Sequence, residues 1–304
     1  MFSEDFKIGS GYILICLIWG STWLAIRIGL ESLTPIMSGG LRFTLASLFV
    51  YTMMRWRKIK LQTDPLSIKL YLVMAFFSFT IPFGMVYWAE QFIPSGLASI
   101  LFAVFPFFVI LFSRIAIPQN KISAEQIIGV TIGFAGIVTI FSEGLTLNLS
   151  DYMLGMLAVF FSAIIQASMA VTIKKYGHHL NPLSMNFVPL LIGGMFMIIT
   201  ALFVEEKSKW VFDEKAILSV IYLAFFGTVI TFTTYYWLLK RMNIVILSLI
   251  TLITPITAVV LGWLIMNEKF SVRDLIGSGM VLIGILFANF RGLLNYYHQK
   301  KINR

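Results

Sequence analysis

Arg42 and Glu90 are the ionisable side chains of this sequence that most bear on the chemistry open to it. Arg42 lies inside the run 35–54, and Glu90 follows directly on the run 70–89. A charged group in a lipid-solvated helix is a functional candidate by default, as a proton carrier or as a partner for a charged solute. Arginine does not release its proton in a protein, which leaves Glu90 as the one proton site if coupling to protons exists. Each residue also has a structural reading. Arg42 either anchors the fold through carbonyls, headgroups or Glu90, or meets an anionic group of a solute; Glu90 is alternatively an interfacial acid held by Ser95 or by Arg42.

Other polar and aromatic groups recur at helical spacing. Phe83, Tyr87 and Glu90 follow at i, i+4 and i+7 and share one helical face. Trp19-Gly20-Ser21-Thr22-Trp23 forms a cluster near the middle of another apolar run, read either as close packing through Gly20 and Ser21 or as a cavity wall through Trp19 and Thr22. Ser99, Phe102 and Pro106, then Gln166, then Tyr236, and then Ser248, Thr251 and Pro255 continue the series. Pro106 and Pro255 each remove a backbone donor inside a run and are expected to kink their helices. The expected lining of a cavity is Trp19, Thr22, Tyr87, Ser99, Phe102, Gln166, Tyr236, Ser248 and Thr251. The histidines are His178, His179 and His298, without metal-ligand spacing, and the single Cys16 excludes an intramolecular disulfide.

The elements that position these groups follow from composition. Apolar residues make up 59% of the 304 and charged residues 12%, against about 25% charged in soluble domains. Spanning a bilayer takes about 20 mainly apolar residues, and ten such runs occur: 11–29, 35–54, 70–89, 95–117, 123–141, 152–173, 182–203, 216–239, 243–266 and 274–291. Runs of this length must be helices, because hydrocarbon leaves no partner for an open backbone. The fold class expected is an all-α membrane protein.

The ten runs fall into two copies. Ala75-Phe76-Phe77, Phe83, Tyr87-Trp88, Ser99 and Pro106 return 149 residues later as Ala224-Phe225-Phe226, Phe232, Tyr236-Trp237, Ser248 and Pro255. Arg27 pairs with Lys174 and Pro35 with Pro182 at an offset of 147. Residues 1–145 and 150–295 are therefore read as two repeats of five spans, followed by a basic tail, 296–304. Five spans is an odd number, so the second repeat enters the membrane from the opposite side. The lining differs between copies: Trp19 is matched by Gln166, Arg42 by Pro189, Glu90 by Leu239 and Asn120 by Glu268.

Charge placement orients the chain. The side carrying the termini holds 16 basic residues against six on the other, which also holds ten of the fourteen acidic residues. Both termini are expected in the cytoplasm. The net charge of +9 then reads as topology and argues against nucleic-acid binding.

Trp19-Gly20-Ser21-Thr22, Arg42-Phe43, Trp88-Ala89-Glu90-Gln91, Ser95-Gly96-Leu97-Ala98, the in-helix prolines, and Asn267-Glu268-Lys269 followed by Gly277 and Gly284 resemble the EamA family of the drug/metabolite transporter superfamily, over nearly the whole chain. The resemblance implies a ten-helix inverted-repeat carrier of a bacterial inner membrane that exports amino acids, related metabolites or toxic compounds. The sequence departs from the family pattern at Asn120, where a carboxylate is frequent, and at Asn267, where glycine often precedes the glutamate.

The residues alone point the same way. Inverted repeats with proline-interrupted helices at matching positions belong to alternating-access carriers. An enzyme would need a catalytic constellation, and none is visible. A channel would show charge rings or carbonyl filters. The expected function is a secondary transporter, an exporter or facilitator, of small amphipathic solutes, neutral or zwitterionic overall; the alternatives are a proton-coupled antiporter using Glu90 and a channel-like pore. The expected partners are a small-molecule solute and the lipid bilayer, with no cofactor and no metal. Oligomeric state is left open.

Overall fold

The computed structural model describes residues 4–116, 124–146 and 151–302, with 143–146 and 289–302 described by backbone alone. Asn120, Lys121 and the side chains of the basic tail 296–304 lie outside the described residues. Among the described residues nine helical segments are long and apolar enough to cross a membrane: Glu4–Gly29, Pro35–Trp56, Pro65–Ala89, Ser95–Ala116, Ala124–Ser142, Asp151–Tyr176, Pro182–Val204, Glu214–Arg241 and Ile244–Met266. With the helix Val272–Ile302 they are spans one to ten. No strand occurs among the described residues.

Polarity is arranged for lipid. Leu17, Phe203, Trp263 and Leu275 are exposed, while Arg42, Glu90, Ser95, Thr228 and Thr231 are buried. Span starts are capped locally where a polar residue precedes a helix. Asp64 accepts from the Ser67 amide ahead of span three, and Asp213 from the Ala216 amide ahead of span eight. Those bonds stabilise the ionised form: the Ser67 hydroxyl and amide hold the Asp64 carboxyl below the usual carboxylate range, and the Ala216 amide, then the Ser32 hydroxyl, do the same for Asp213. Both caps therefore stay engaged through neutral pH.

The packing is reciprocal between halves. Span one packs on spans eight and nine, and span six packs on spans three and four; spans two and seven pair, as do five and ten. Glycine makes the last pairing possible. A Cβ on Gly284 would stand 2.5 Å from both the Gly129 carbonyl oxygen and the Gly133 nitrogen, so the two backbones touch.

Contacts at the two ends show the inversion. On one face the N-terminal segment meets the loop after span eight (Arg241 to Glu4, 3.3 Å), Lys240 reaches the His178 carbonyl (2.9 Å), and His179 reaches Ser67 (3.0 Å). On the opposite face Val211 donates to the Ser32 carbonyl (2.9 Å) and Glu268 accepts from the Ser95 amide (2.8 Å). The loop after span one thus lies on the face opposite its repeat counterpart, the loop after span six.

Spans three and eight each contain a π-helical turn, Ala75–Thr80 and Phe225–Ile230, nearly matched in the repeat register. The wider turn leaves carbonyls poorly served, and hydroxyls fill the gap: Thr80 donates to the Ala75 carbonyl and Thr228 to the Leu223 carbonyl, both at 2.8 Å. Span four is interrupted at Ala103 and Val104, where the Pro106 ring excludes a regular turn. In span nine the interruption falls at Leu249, six residues ahead of Pro255, which sits inside the continuous helix Ile250–Met266.

Candidate solute cavity and its two closures

A cavity of about 910 Å³, mouth included, lies between spans one, two, three, four, six, eight and nine. Of the nine expected lining residues, Trp19, Thr22, Phe102, Gln166, Tyr236, Ser248 and Thr251 border it. Gly20 and Ser21 do the packing of span one instead: a Cβ on Gly20 would meet the Thr257 side chain at 2.6 Å, and the Ser21 hydroxyl bonds that of Tyr222 at 2.6 Å. Both readings of that cluster hold, for different residues.

Tyr87 and Ser99 do not border the cavity, which corrects the expectation. Tyr87 is fully buried with its hydroxyl toward Arg42, and the Ser99 hydroxyl is buried without a protein partner. The repeat register supplies the reason. Their counterparts Tyr236 and Ser248 lie toward the N-terminal face, whereas inversion puts Tyr87 and Ser99 toward the opposite one. A second cavity of about 630 Å³, bordered by Lys174, Gly177, His178 and Lys240, shares Ile173 and Tyr236 with the first and leads to the N-terminal face. On the opposite side Tyr87, Glu90, Ile93, Ser95 and Leu97 are all at 0% exposure. The larger cavity thus shares walls with a vestibule at one face and is sealed from the other by fully buried residues.

Arg42 forms the deep end. Its Nε donates to the Thr228 hydroxyl (2.9 Å), Nη2 to the Gly227 carbonyl (3.1 Å) and Nη1 to the Tyr87 hydroxyl at a long 3.4 Å. The guanidinium also stands over the Phe43 and Phe83 rings, 5.3 and 5.0 Å from their centroids. The Gly227 carbonyl belongs to the second π turn, so the irregular backbone is what offers the cation an acceptor. Of its structural readings, the carbonyl anchor is observed. No ion pair joins Arg42 to Glu90 among the described residues.

The closed side is held by charges. Arg27, at the end of span one, donates to the Glu90 carbonyl. Glu268 accepts from the amides of Ser95 (2.8 Å) and Gly96 (3.1 Å), capping span four from across the fold. Glu205 does the same for span two, through Ile36 (2.8 Å), Met37 (2.9 Å) and the Thr34 hydroxyl (2.6 Å). The Glu90 carboxylate stands in the field of Glu268, Arg27 and Arg42 with neither oxygen hydrogen-bonded. Ser95, offered from sequence as its holder, instead leaves its own hydroxyl unpaired.

A contact at the vestibule side repeats this one by symmetry, and both are formed in this conformation. Lys174, the repeat counterpart of Arg27, donates to the carbonyl of Leu239, the counterpart of Glu90, and also to the Met242 carbonyl at 2.9 Å. Sequence reasoning paired these residues but missed the contact; it named Glu268 only as the counterpart of Asn120 and within the family motif, and did not single out Glu205. It also passed over Phe83 and Phe232, both of which line the cavity with ring centroids 6.1 Å apart. Their identity in the two repeats was the available signal.

A two-fold bundle of membrane helices enclosing a central cavity, with matched closures at its two ends, defines a polytopic protein of the transporter type. Comparison with known proteins then gives the family: the sequence profile of the EamA-like transporter family matches residues 8–142 and 153–290, and the chain belongs to that family. It is 30% identical to Protein PagO of Salmonella typhimurium, covering 90% of each chain. It is also 30% identical to YedA of Escherichia coli K12, called an uncharacterized inner membrane transporter, over 89% of this chain and 86% of that one. A solved crystal structure superposes with a TM-score of 0.71 at 18% identity, covering 95% of this chain and 99% of the other; at that identity it shows a shared fold.

Proposed function

We propose that the protein is a secondary transporter of the bacterial inner membrane that moves small amphipathic metabolites, such as amino acids or related compounds, by alternating access. The observation that carries this is the matched pair of closures. Arg27 with the Glu90 carbonyl and Lys174 with the Leu239 carbonyl are symmetry counterparts on opposite faces, which is what a carrier needs to exchange one open side for the other. The excess of basic residues supports a cytoplasmic N-terminal face, and on that reading the vestibule side loads solute from the cytoplasm for export. Labelling with an impermeant thiol reagent in a Cys16-free background checks this: Lys209→Cys should react from outside and Lys60→Cys should not.

A second reading is favoured by one observation. Glu90 is fully buried and neither carboxylate oxygen has a hydrogen-bond donor, so the group can carry a proton across the closed side as a proton-coupled antiporter requires. Transport in proteoliposomes under an imposed pH gradient, with voltage clamped by ionophore, separates the two. A facilitator gives saturable counterflow without uphill accumulation. Accumulation driven by protons, lost in Glu90→Gln while downhill flux remains, would establish the antiporter.

A further inference from the structure

Every charged side chain that borders the two cavities is basic. Arg42 lies at the deep end of the larger one, and Lys174 and Lys240 border the vestibule beside it, with His178; among the described residues no aspartate or glutamate borders either. The two lysines are tied by backbone carbonyls, Lys174 to Leu239 and Met242, Lys240 to His178 and Leu180. Carbonyls position an ammonium without cancelling its charge. The path therefore carries a positive field, which concentrates anions and repels cations.

Arg42 is incompletely satisfied. A guanidinium has five N–H donors, and three are used, one of them over a long 3.4 Å. The two that remain are one on each terminal nitrogen, the pairing that a carboxylate can bridge with both oxygens. Ser78 borders the same cavity with its hydroxyl buried and without a partner. The rest of the wall is mostly apolar, and much of that is aromatic: Trp19, Trp23, Phe83, Phe102, Phe232 and Tyr235. A buried cation is costly unless an anion joins it, and Glu90 does not supply that pairing.

We propose that the solute is a small organic carboxylate with an apolar body, held by its carboxylate at Arg42 and Ser78 and by its body against the aromatic wall. This rests on the transporter reading, and it replaces a neutral solute with one recognised through its negative end. The lysine vestibule draws that end in from the N-terminal face. A zwitterion is accepted only through its carboxylate, since the cavities offer an ammonium no counter-charge.

The test uses three probes of one shape on purified protein in lipid nanodiscs at neutral pH: 3-phenylpropionate, 3-phenylpropanamide and 2-phenylethylammonium, read by the emission of the cavity tryptophans. The acid should bind about tenfold or more tighter than the amide, with the amine weakest. In Arg42→Gln the acid and amide should come within about twofold of each other, and Ser78→Ala should weaken the acid alone. If Arg42→Gln does not fold, the comparison in the parent decides. Equal binding of acid and amide, a preference for the amine, or no binding of any probe by the parent overturns the assignment. Flux in proteoliposomes separates this from the broader reading: flux without acid preference sinks the carboxylate site alone, whereas acid-selective binding without flux keeps the site and sinks transport.

Discussion

Asn267 explains at residue level how an acid from one half caps a helix of the other. It ends span nine in the left-handed region, with φ of 51°, a conformation that glycine adopts freely and asparagine tolerates best among the rest. The turn sends Glu268 back over Gly262, whose missing Cβ leaves room for the carboxylate, and onto the amides of Ser95 and Gly96. The family departure at this position is therefore conservative in backbone terms. Asn267→Gly should leave thermal stability within about 0.5 kcal/mol, while Asn267→Val, strained at this φ, should cost about 1–2 kcal/mol. Glu268→Gln, which keeps the shape and removes the charge, should cost about 1 kcal/mol. Unfolding of the purified variants in detergent measures all three, and an Asn267→Val variant as stable as the parent would refute the account.

Spans five and ten make the argument at the scale of elements. In water, apolar burial would hold two such helices together, but in lipid the drive comes from close packing. Gly129 and Gly136 meet Gly284 and Gly277 backbone to backbone. Gly284→Ala should thus destabilise by about 1–3 kcal/mol. Gly279, on the same helix, has nothing within 4 Å of its would-be Cβ, and Gly279→Ala should be neutral or slightly stabilising by helix propensity. Equal effects of the two substitutions would show that the glycine seam does not govern this pairing. The π turns of spans three and eight act at the same scale, since Gly227 and Thr228 turn toward Arg42 only because the helix widens there.

For the whole molecule, inversion turns a static asymmetry into an expectation about motion. Tyr236 and Ser248 border the cavity on the open side, while their counterparts Tyr87 and Ser99 are sealed on the other. Exchange of the two closures would bring Tyr87 and Ser99 to the cavity and withdraw Tyr236 and Ser248. Arg27→Gln weakens one closure and Lys174→Gln the other. In a Cys16-free background, Ser99→Cys should become several-fold more reactive to an impermeant reagent from the outer face when Arg27→Gln is added, and less or no more reactive with Lys174→Gln. The same response to both would mean that the contacts are not opposed gates.

Sequence by itself determined the spans, the duplication, the inversion and seven residues of the wall. Those follow from local rules: about 20 apolar residues must be helical in hydrocarbon, an odd span count inverts the copy, and polar groups at helical spacing must share a face. Trp19, Thr22, Gln166 and Tyr236 were legible for that reason, and so was the Arg27–Lys174 correspondence. Only the tertiary structure decided which half of the Tyr87–Tyr236 and Ser99–Ser248 pairs borders the cavity, because both members carry the same side chain and differ only in the conformation adopted. It alone brought Glu205 and Glu268 onto helix starts 169 and 173 residues away. It also placed Arg42 against a carbonyl freed by a π turn in the other repeat. Such contacts depend on backbone irregularities and on packing between halves, and neither leaves a period in the sequence.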